Sequence, residues 1–344
     1  MFTPRYTITD RLLANIKRIY ALISQLNARR FPHVVLLELE QTARAVSTYA
    51  STSIEGNPLP LTEVKKILKS KPAHIRTSEQ EVVNYNEALK ILQEQLTNTS
   101  LKPSINLIRS IQKRVTEKLL PSYESGYLRQ KPVVVHDPRT GTVIYLPPDA
   151  QDVQPLMHDL IAYVNTSQHV VDPLILSGIF HKQMVIIHPF IDGNGRTTRL
   201  ATKVLLATMG LNTFNLFSFE NYYNNNVTNY FQAVGEQGNY YELVDTIDFT
   251  FWLEYFTDGI IDELLRVQKL LPEIALSPKT ELQPYHLALL EHMRNKGFIA
   301  DHDYAELTDR SKATRTLDFQ KLLDLQLIER KGKGKATYYV VAEK

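Results

Sequence analysis

The strongest constraint in this chain is the stretch His188–Arg199, "HPFIDGNGRTTR". Two runs of helical periodicity enclose it, "DPLILSGIFHKQMVII" before and "RTTRLATKVLLATMG" after, so the chain must fold there as helix, tight loop and helix. Gly193-Asn194-Gly195 allows backbone conformations closed to larger side chains and brings amide N–H groups close to whatever lies against the loop. The second helix starts inside the stretch, and its first turn adds unpaired N–H donors and positive potential.

Arg196 and Arg199, three residues apart, share one face of that first turn. Cations at a helix N-terminus oppose the macrodipole, so they too require an anionic partner. Amides, dipole and guanidinium groups together describe a polyphosphate cradle. Asp192, just before the glycines, suits a divalent cation bridging phosphate oxygens, because magnesium takes one or two carboxylates plus phosphates and waters. His188 is the nearby side chain whose free pKa, roughly 6.5, suits proton abstraction at neutral pH. A Walker loop is excluded because no Gly-Lys-Ser/Thr ending is present. A calcium EF-hand starting at Asp192 fails at its sixth and twelfth positions, occupied by Thr197 and Lys203.

The surroundings read as mainly helical. The segments "TDRLLANIKRIYALISQL", with Thr9 and Asp10 as caps, "TEVKKIL" and "PSINLIRSIQKRVTEKLL", running to Leu120, carry helical spacing. "KPVVVHDPRTGTVIYLPP" breaks the pattern: Val133–Val135 and Thr142–Tyr145 flank a turn and predict a β-hairpin. "DVQPLMHDLIAYVN" is helical again, "NYYNNNVTNY" is polar and asparagine-rich, and "DFTFWLEYFTDGIIDELLRV" leads to a linker expected near Leu271–Thr280, punctuated by Pro272 and Pro278. The chain of 344 residues has no cysteine, which excludes disulfides, thiol catalysis and cysteine zinc sites. Its net charge of +2 offers no bulk attraction to nucleic acid or membrane, and no apolar run approaches a membrane span. The expectation is a cytoplasmic protein without membrane partners.

One local oddity lies far from the loop. "STSIEGN", residues 51–57, closes a helix expected over Val35–Ile54, with Gly56 and Pro58 as the stop. Glu55 thus falls where exposed carbonyls make the helix end negative and a cation would be preferred.

"HPFIDGNGRTTR" resembles the signature of the Fic family, His-x-Phe-x-(Asp/Glu)-Gly-Asn-Gly-Arg-x-x-Arg, at every defining position, and the resemblance covers roughly residues 105–260. Members of that family mostly transfer AMP from ATP to a hydroxyl of a target protein. The resemblance implies His188 as the base that deprotonates the Ser, Thr or Tyr hydroxyl and Phe190 as the anchor of the loop in the core. It implies Asp192 as the Mg2+ ligand, and Gly193, Asn194 and Gly195 as the anion hole. Arg196 and Arg199 would hold the β- and γ-phosphates. The hairpin Val133–Tyr145 resembles the family flap, which docks the target segment by strand pairing. Tyr230 and Phe231 resemble the region lining the adenine site. Ser51–Gly56 resembles the family's inhibitory motif, (Ser/Thr)-x-x-x-Glu-(Gly/Asn), which implies that Glu55 pairs with Arg199 and displaces the γ-phosphate.

The last sixty or so residues follow a different pattern. "PYHLALLEHMRNKG", "DYAELT" and "DRSKATRTLDFQKLLDLQL" read as helices and "IERKGKGKATYYVV" as two strands around a basic turn, the order of a winged helix-turn-helix. Arg310, Lys312, Arg315 and Lys321, with wing residues Arg330, Lys331, Lys333 and Lys335, are candidate DNA phosphate contacts. Residues 281–344 nonetheless hold eleven Lys+Arg against ten Asp+Glu, and Asp318 falls in the candidate recognition helix, so docking to protein or to a second copy stays open. The expected division is a helical region with the inhibitory helix over 1–104, a catalytic core over 105–260, a helix end and linker over 261–280, and the winged helix over 281–344. The expected activity is autoinhibited, Mg2+-dependent transfer of AMP to a target protein or to the chain itself. Removal of AMP from a modified protein, or nucleotide sensing by a DNA-binding regulator, are the alternatives.

Overall fold

The structure, a computed structural model, describes residues 2–28, 33–70, 72, 74–98, 101–136, 141–211, 218–275 and 281–342. In chain order the elements are α1 (Asp10–Asn27), α2 (His33–Ile54), α3 (Leu61–Lys69), α4 (Thr77–Asn98), α5 (Ile105–Val115), β1 (Val135–His136) and β2 (Val143–Leu146). Next come α6 (Ala150–Ser167), α7 (Pro173–Ile187), α8 (Asn194–Thr208), α9 (Phe219–Asn225), α10 (Val227–Val234), β3 (Gly238–Asn239), α11 (Tyr240–Leu243) and α12 (Thr250–Ala275). The remaining elements are α13 (Pro284–Lys296), α14 (Asp301–Leu307), α15 (Lys312–Asp324), β4 (Ile328–Lys331) and β5 (Tyr338–Val341). The fold is mainly helical. Two compact units are present: Met1–Ala28 with Ala43–Arg266, and Arg29–Thr42 with Val267–Lys344.

Helix starts follow their local chemistry. Thr9 Oγ1 accepts from the Leu12 N–H at 3.1 Å to cap α1, and Ser104 Oγ accepts from Leu107 at 3.2 Å to cap α5. Asp172 caps α7, whose first residue is Pro173. Helix α7 is buried along nearly its whole length and forms the axis of the first unit. Around it pack Ile108, Ile111 and Val115 of α5, Val153, Met157 and Leu160 of α6, and Leu200, Val204 and Leu205 of α8. These are fully buried aliphatic side chains, each stabilising by about 1.5–3 kcal/mol relative to exposure. Helix α2 ends at Ile54, and Gly56 takes φ +89°, the left-handed turn that stops it.

Three details differ from the sequence expectations. Helix α5 ends at Val115 rather than Leu120. The buried Asn84 side chain explains this, because its Nδ2 donates to the carbonyls of Val115 at 3.3 Å and Glu117 at 2.7 Å. Those carbonyls therefore have a partner outside the helix, and Lys118 then turns to φ +62°. The hairpin pairs Val135 with Tyr145 and His136 with Val143, and its expected turn, 137–140, lies outside the described residues. A parallel third strand, β3, pairs Tyr145 with Gly238 and Leu146 with Asn239; two residues carry no readable periodicity. Helix α12 continues to Ala275, past Pro272, while 276–280 of the expected linker lie outside the described residues. A proline removes one helical hydrogen bond, and the helix persists less than one turn beyond it.

In the second unit, α13, α14 and α15 close on Leu289, Met293, Ile299, Tyr304, Phe319, Leu322 and Ile328. Strands β4 and β5 are antiparallel, from Ile328↔Val341 to Lys331↔Tyr338, and Ile299 adds a bridge to Tyr339. Among the described residues, no helix is long and apolar enough to cross a membrane.

Asn84→Ala should destabilise the first unit by about 1–3 kcal/mol, because two carbonyls lose their buried partner. Denaturant unfolding of the two proteins measures this, and equal midpoints would contradict the role given to Asn84.

Candidate active site

The loop between α7 and α8 is held by its own side chains. His188 ends α7 in the left-handed region, φ +49°, and its N–H still donates to the Met184 carbonyl at 3.1 Å. Phe190 is fully buried in the core. Asn194 closes the loop: its Oδ1 accepts from the Phe190 N–H and its Nδ2 donates to the Phe190 carbonyl, both at 2.9 Å. A side-chain amide is the group able to accept and donate in this way at one residue. Asn194 thus shapes the loop with its side chain, while its backbone belongs to the first turn of α8.

Two residues outside the loop fix its position, and neither stands out in the sequence. Arg129, 2% exposed, donates through Nε to the His188 carbonyl at 2.8 Å and through Nη2 to the carbonyls of Pro148 at 2.5 Å and Ile187 at 3.3 Å. Its backbone N–H donates to the Pro189 carbonyl at 2.9 Å. Gln112 of α5, fully buried, donates to the Asp192 carbonyl at 3.1 Å and accepts from the Gly126 N–H at 2.5 Å. These contacts join residues 59 and 80 positions apart, so no local pattern announces them.

The imidazole of His188 is partly buried, and desolvation pulls its pKa down to about 4. It is therefore neutral at physiological pH. Nδ1 lies 3.4 Å from the Val185 carbonyl; with the proton on Nδ1, Nε2 keeps its lone pair for accepting another proton.

The two arginines have different neighbours. Arg196, 3% exposed, donates through Nη2 to both carboxylate oxygens of Asp192, at 3.2 and 3.1 Å, and its Nη1 lies 3.7 Å from Glu81 Oε1. Its Nε and Nη1 are buried without a hydrogen-bond partner among the described residues. Arg199 is fully buried. Its Nε donates to Ser51 Oγ at 2.8 Å, and its Nη2 to the Ser51 carbonyl at 2.9 Å and to Glu55 Oε1 at 2.7 Å. Burial alone would lower the Arg199 pKa; Glu55, with Tyr230 and Tyr85 around the group, more than offsets this, and the guanidinium is held above its ordinary value.

The Glu55 carboxylate does more than touch Arg199. A Cβ added to Gly195 would lie 2.1 Å from Glu55 Oε1 and 2.9 Å from Arg199 Nη1, so the carboxylate rests directly on the backbone of the first turn of α8. Only glycine permits that approach. The carboxylate sits on the amides, dipole and guanidinium that together suit an anion. Ser47, Ser51 and Glu55, at four-residue spacing on α2 and the turn after it, face Arg199 and Lys203, at four-residue spacing on α8: Lys203 Nζ donates to Ser47 Oγ at 2.6 Å. Asn57 ties the same turn to α4, donating to the Ser78 carbonyl at 2.8 Å and to Glu81 Oε2 at 2.7 Å.

Asp192 is half exposed and accepts from its neighbour's N–H, Gly193, at 2.6 Å. No group of three or more His, Cys, Asp or Glu side chains among the described residues forms a metal cage. Tyr230 is buried 1% exposed, stacked on Tyr223 at 4.5 Å, with its hydroxyl 3.2 Å from His181 Nε2. It belongs to the aromatic packing beside Arg199 and presents no exposed ring face.

With this geometry in view, residues 102–206 match the sequence model of the Fic/DOC family. A protein named Protein adenylyltransferase Fic from Aedes aegypti is 28% identical over 217 residues, covering 58% of this chain and 42% of that protein. One of the same name from Nematostella vectensis is 31% identical over 166 residues, covering 47% of this chain and 37% of that protein. The chain thus spans less than half the length of these relatives. A crystal structure of a Fic family protein from Desulfovibrio desulfuricans shares the fold with a TM-score of 0.67 at 20% identity, covering 100% of this chain and 99% of that one.

Nitrogen-15 chemical shifts of His188 should report a neutral imidazole at pH 5.5. A titration midpoint near the ordinary value of roughly 6.5 would contradict the desolvated setting.

Proposed function

We propose that this chain transfers AMP from ATP to a hydroxyl of a target protein and that Glu55 holds it in check. The observation that carries the reading is the carboxylate of Glu55 seated between Gly195 and Arg199, in the place an incoming phosphate would need. An enzyme for a neutral ligand would have no use for an amide-lined helix start flanked by two buried guanidinium groups. Arg196, whose Nε and Nη1 are buried without a hydrogen-bond partner among the described residues and with Glu81 no nearer than 3.7 Å, has capacity left for an anion.

In the proposed reaction, the triphosphate lies against the first turn of α8, with its terminal phosphates toward Arg196 and Arg199. His188 Nε2 takes the proton of the target hydroxyl as its oxygen attacks the α-phosphorus. The bond from that phosphorus to the β-phosphate oxygen breaks, and pyrophosphate leaves. Catalysis rests on positioning and on stabilising charge already aimed at the phosphates. Asp192 would supply one carboxylate oxygen to a magnesium ion, which when bound neutralises charge on the phosphate oxygens. The half-exposed Val143 and the exposed Leu146 and Val134 of the hairpin suit an extended target segment laid beside it.

The inhibitory step follows from competition. Glu55 and a terminal phosphate seek the same guanidinium, so ATP binds with that phosphate displaced or not at all. When Glu55 leaves, the phosphate replaces its charge and Arg199 remains paired. Exchange of one anion for another beside the buried guanidinium avoids the roughly 3–5 kcal/mol cost of leaving that buried charge alone.

Incubation with labelled ATP and a lysate tests the reading. Glu55→Gly should raise labelling by about tenfold or more, equivalent to removing about 1.4 kcal/mol of competing contact. His188→Ala in that background should lower it by at least roughly 10²-fold, the ordinary worth of a general base. Equal labelling by wild type and Glu55→Gly would overturn the inhibitory role, and full activity without His188 would overturn the base.

A further inference from the structure

We infer that the unit carrying α13–α15 and the β4–β5 hairpin is a duplex DNA-binding surface, with the wing on the phosphates and the outer face of α15 in the groove. Three observations, all within this unit, carry it.

The carboxylate that most opposes such a role is withdrawn from the surface. Asp318, on α15, is 3% exposed and turned into the core. It accepts from Tyr304 Oη at 2.8 Å and from Arg310 Nε and Nη2 at 2.7 and 3.0 Å, and His286 Nε2 lies 3.6 Å away. Arg310 in turn stacks over Tyr285 at 3.7 Å. Arg315 is likewise taken, donating to both oxygens of Asp301 at 2.9 and 3.0 Å. Lys321 donates to the Glu281 carbonyl at 2.6 Å. Arg310, Arg315 and Lys321 are therefore structural ties, and the phosphate contacts expected of them from sequence belong elsewhere.

The face of α15 left outside suits base edges. Lys312, Ala313, Thr316, Leu317 and Gln320 are exposed along its first two turns and a little beyond, with Leu317 at 68%. No carboxylate lies among them. Methyl and methylene groups meet thymine methyls, and the N-terminal residues of a recognition helix are those that reach the bases, whereas the Gln320 amide donates to Asp324 Oδ1 at 2.8 Å and belongs to the helix end.

The cations needed for phosphates sit on the wing. Arg330, Lys331 and Lys333 are exposed within four positions around the β4–β5 turn, against one carboxylate, Glu329, which pairs with Lys331 at 2.5 Å. That pair is exposed on both sides, so phosphate can displace it at little cost. A nearly neutral module thus concentrates its positive charge on the wing, while the exposed carboxylate of α15, Asp324, lies at the far end of the helix, away from its first two turns. A protein partner for the same helix would require no cationic wing.

Fluorescence anisotropy of the full chain with a labelled mixed-sequence duplex, across 50–200 mM KCl, tests this. Wild type should bind, with log affinity falling linearly against log salt. Replacing Arg330, Lys331 and Lys333 together by alanine should flatten that slope by about 2.7, at roughly 0.9 per phosphate contact. Lys333→Gln alone should flatten it by about 0.9, which keeps the test usable if the triple variant unfolds. Leu317→Asp should weaken binding at least tenfold with unchanged thermal unfolding. Absence of salt-sensitive binding, or an unchanged slope in both wing variants, would overturn the inference. So would a dimer that Leu317→Asp dissociates while no DNA is bound, since that outcome makes the face a protein contact.

Discussion

A guanidinium with no access to water must keep an anion, and Arg199 organises the site around that need. Burial works against its charge; Glu55, with Tyr230 and Tyr85, restores it, and Ser51 satisfies two of its donors. The glutamate sits just past the C-terminus of α2, where its own charge is unfavourable, and the arginine in the second turn of α8, with the positive helix start beside it. Brought to 2.7 Å, they relieve each other. The geometry that allows this is the absence of a side chain at Gly195, which lets the carboxylate lie on the backbone itself.

The same requirement makes the contact exchangeable. A pair sealed from solvent on both sides would be a static element of the core. Here Arg199 is fully buried while the Glu55 side chain keeps 32% of its exposure, so one partner can leave without unpacking the other. Ser51 stays bonded to the guanidinium through both its hydroxyl and its carbonyl, and holds it in position during the exchange. The loop opposite is stiffened independently, by Asn194 bonding both backbone groups of Phe190 and by Arg129 gathering carbonyls from the end of α7. In the proposed cycle the moving part is therefore the turn at Glu55, and the cradle is preformed.

Much of this was legible in the sequence, for reasons that can be separated. The helix, loop and helix around "HPFIDGNGRTTR" follow from periodicity and glycine, and the two misplaced charges, Glu55 and Arg199, are visible as local conflicts with the helix dipole. What escaped was set at long range. Helix α5 stops at Val115 because Asn84, 31 residues earlier, takes its carbonyls. Arg129 and Gln112 look like ordinary surface residues in a list of letters, yet both are buried and hold the loop. Asn194, expected as part of an anion hole, uses its side chain to staple the loop. Tyr230 packs in an aromatic cluster, a placement that an isolated "NYFQAV" cannot distinguish from an open stacking surface. In the C-terminal unit, charge counting treated Asp318 and Arg310 as free surface groups, whereas Asp318 is buried and pairs with the partly exposed Arg310.

The central claim is that the Glu55 carboxylate occupies the place of a terminal phosphate, and calorimetric titration of Glu55→Gln against wild type tests it most directly. The variant keeps the shape of the side chain and removes its charge. The account predicts that ATP binds about tenfold more tightly to the variant, a gain of about 1.4 kcal/mol, while AMP, which lacks the terminal phosphates, binds both proteins equally. Equal affinities for ATP, or a matching gain for AMP, would contradict it.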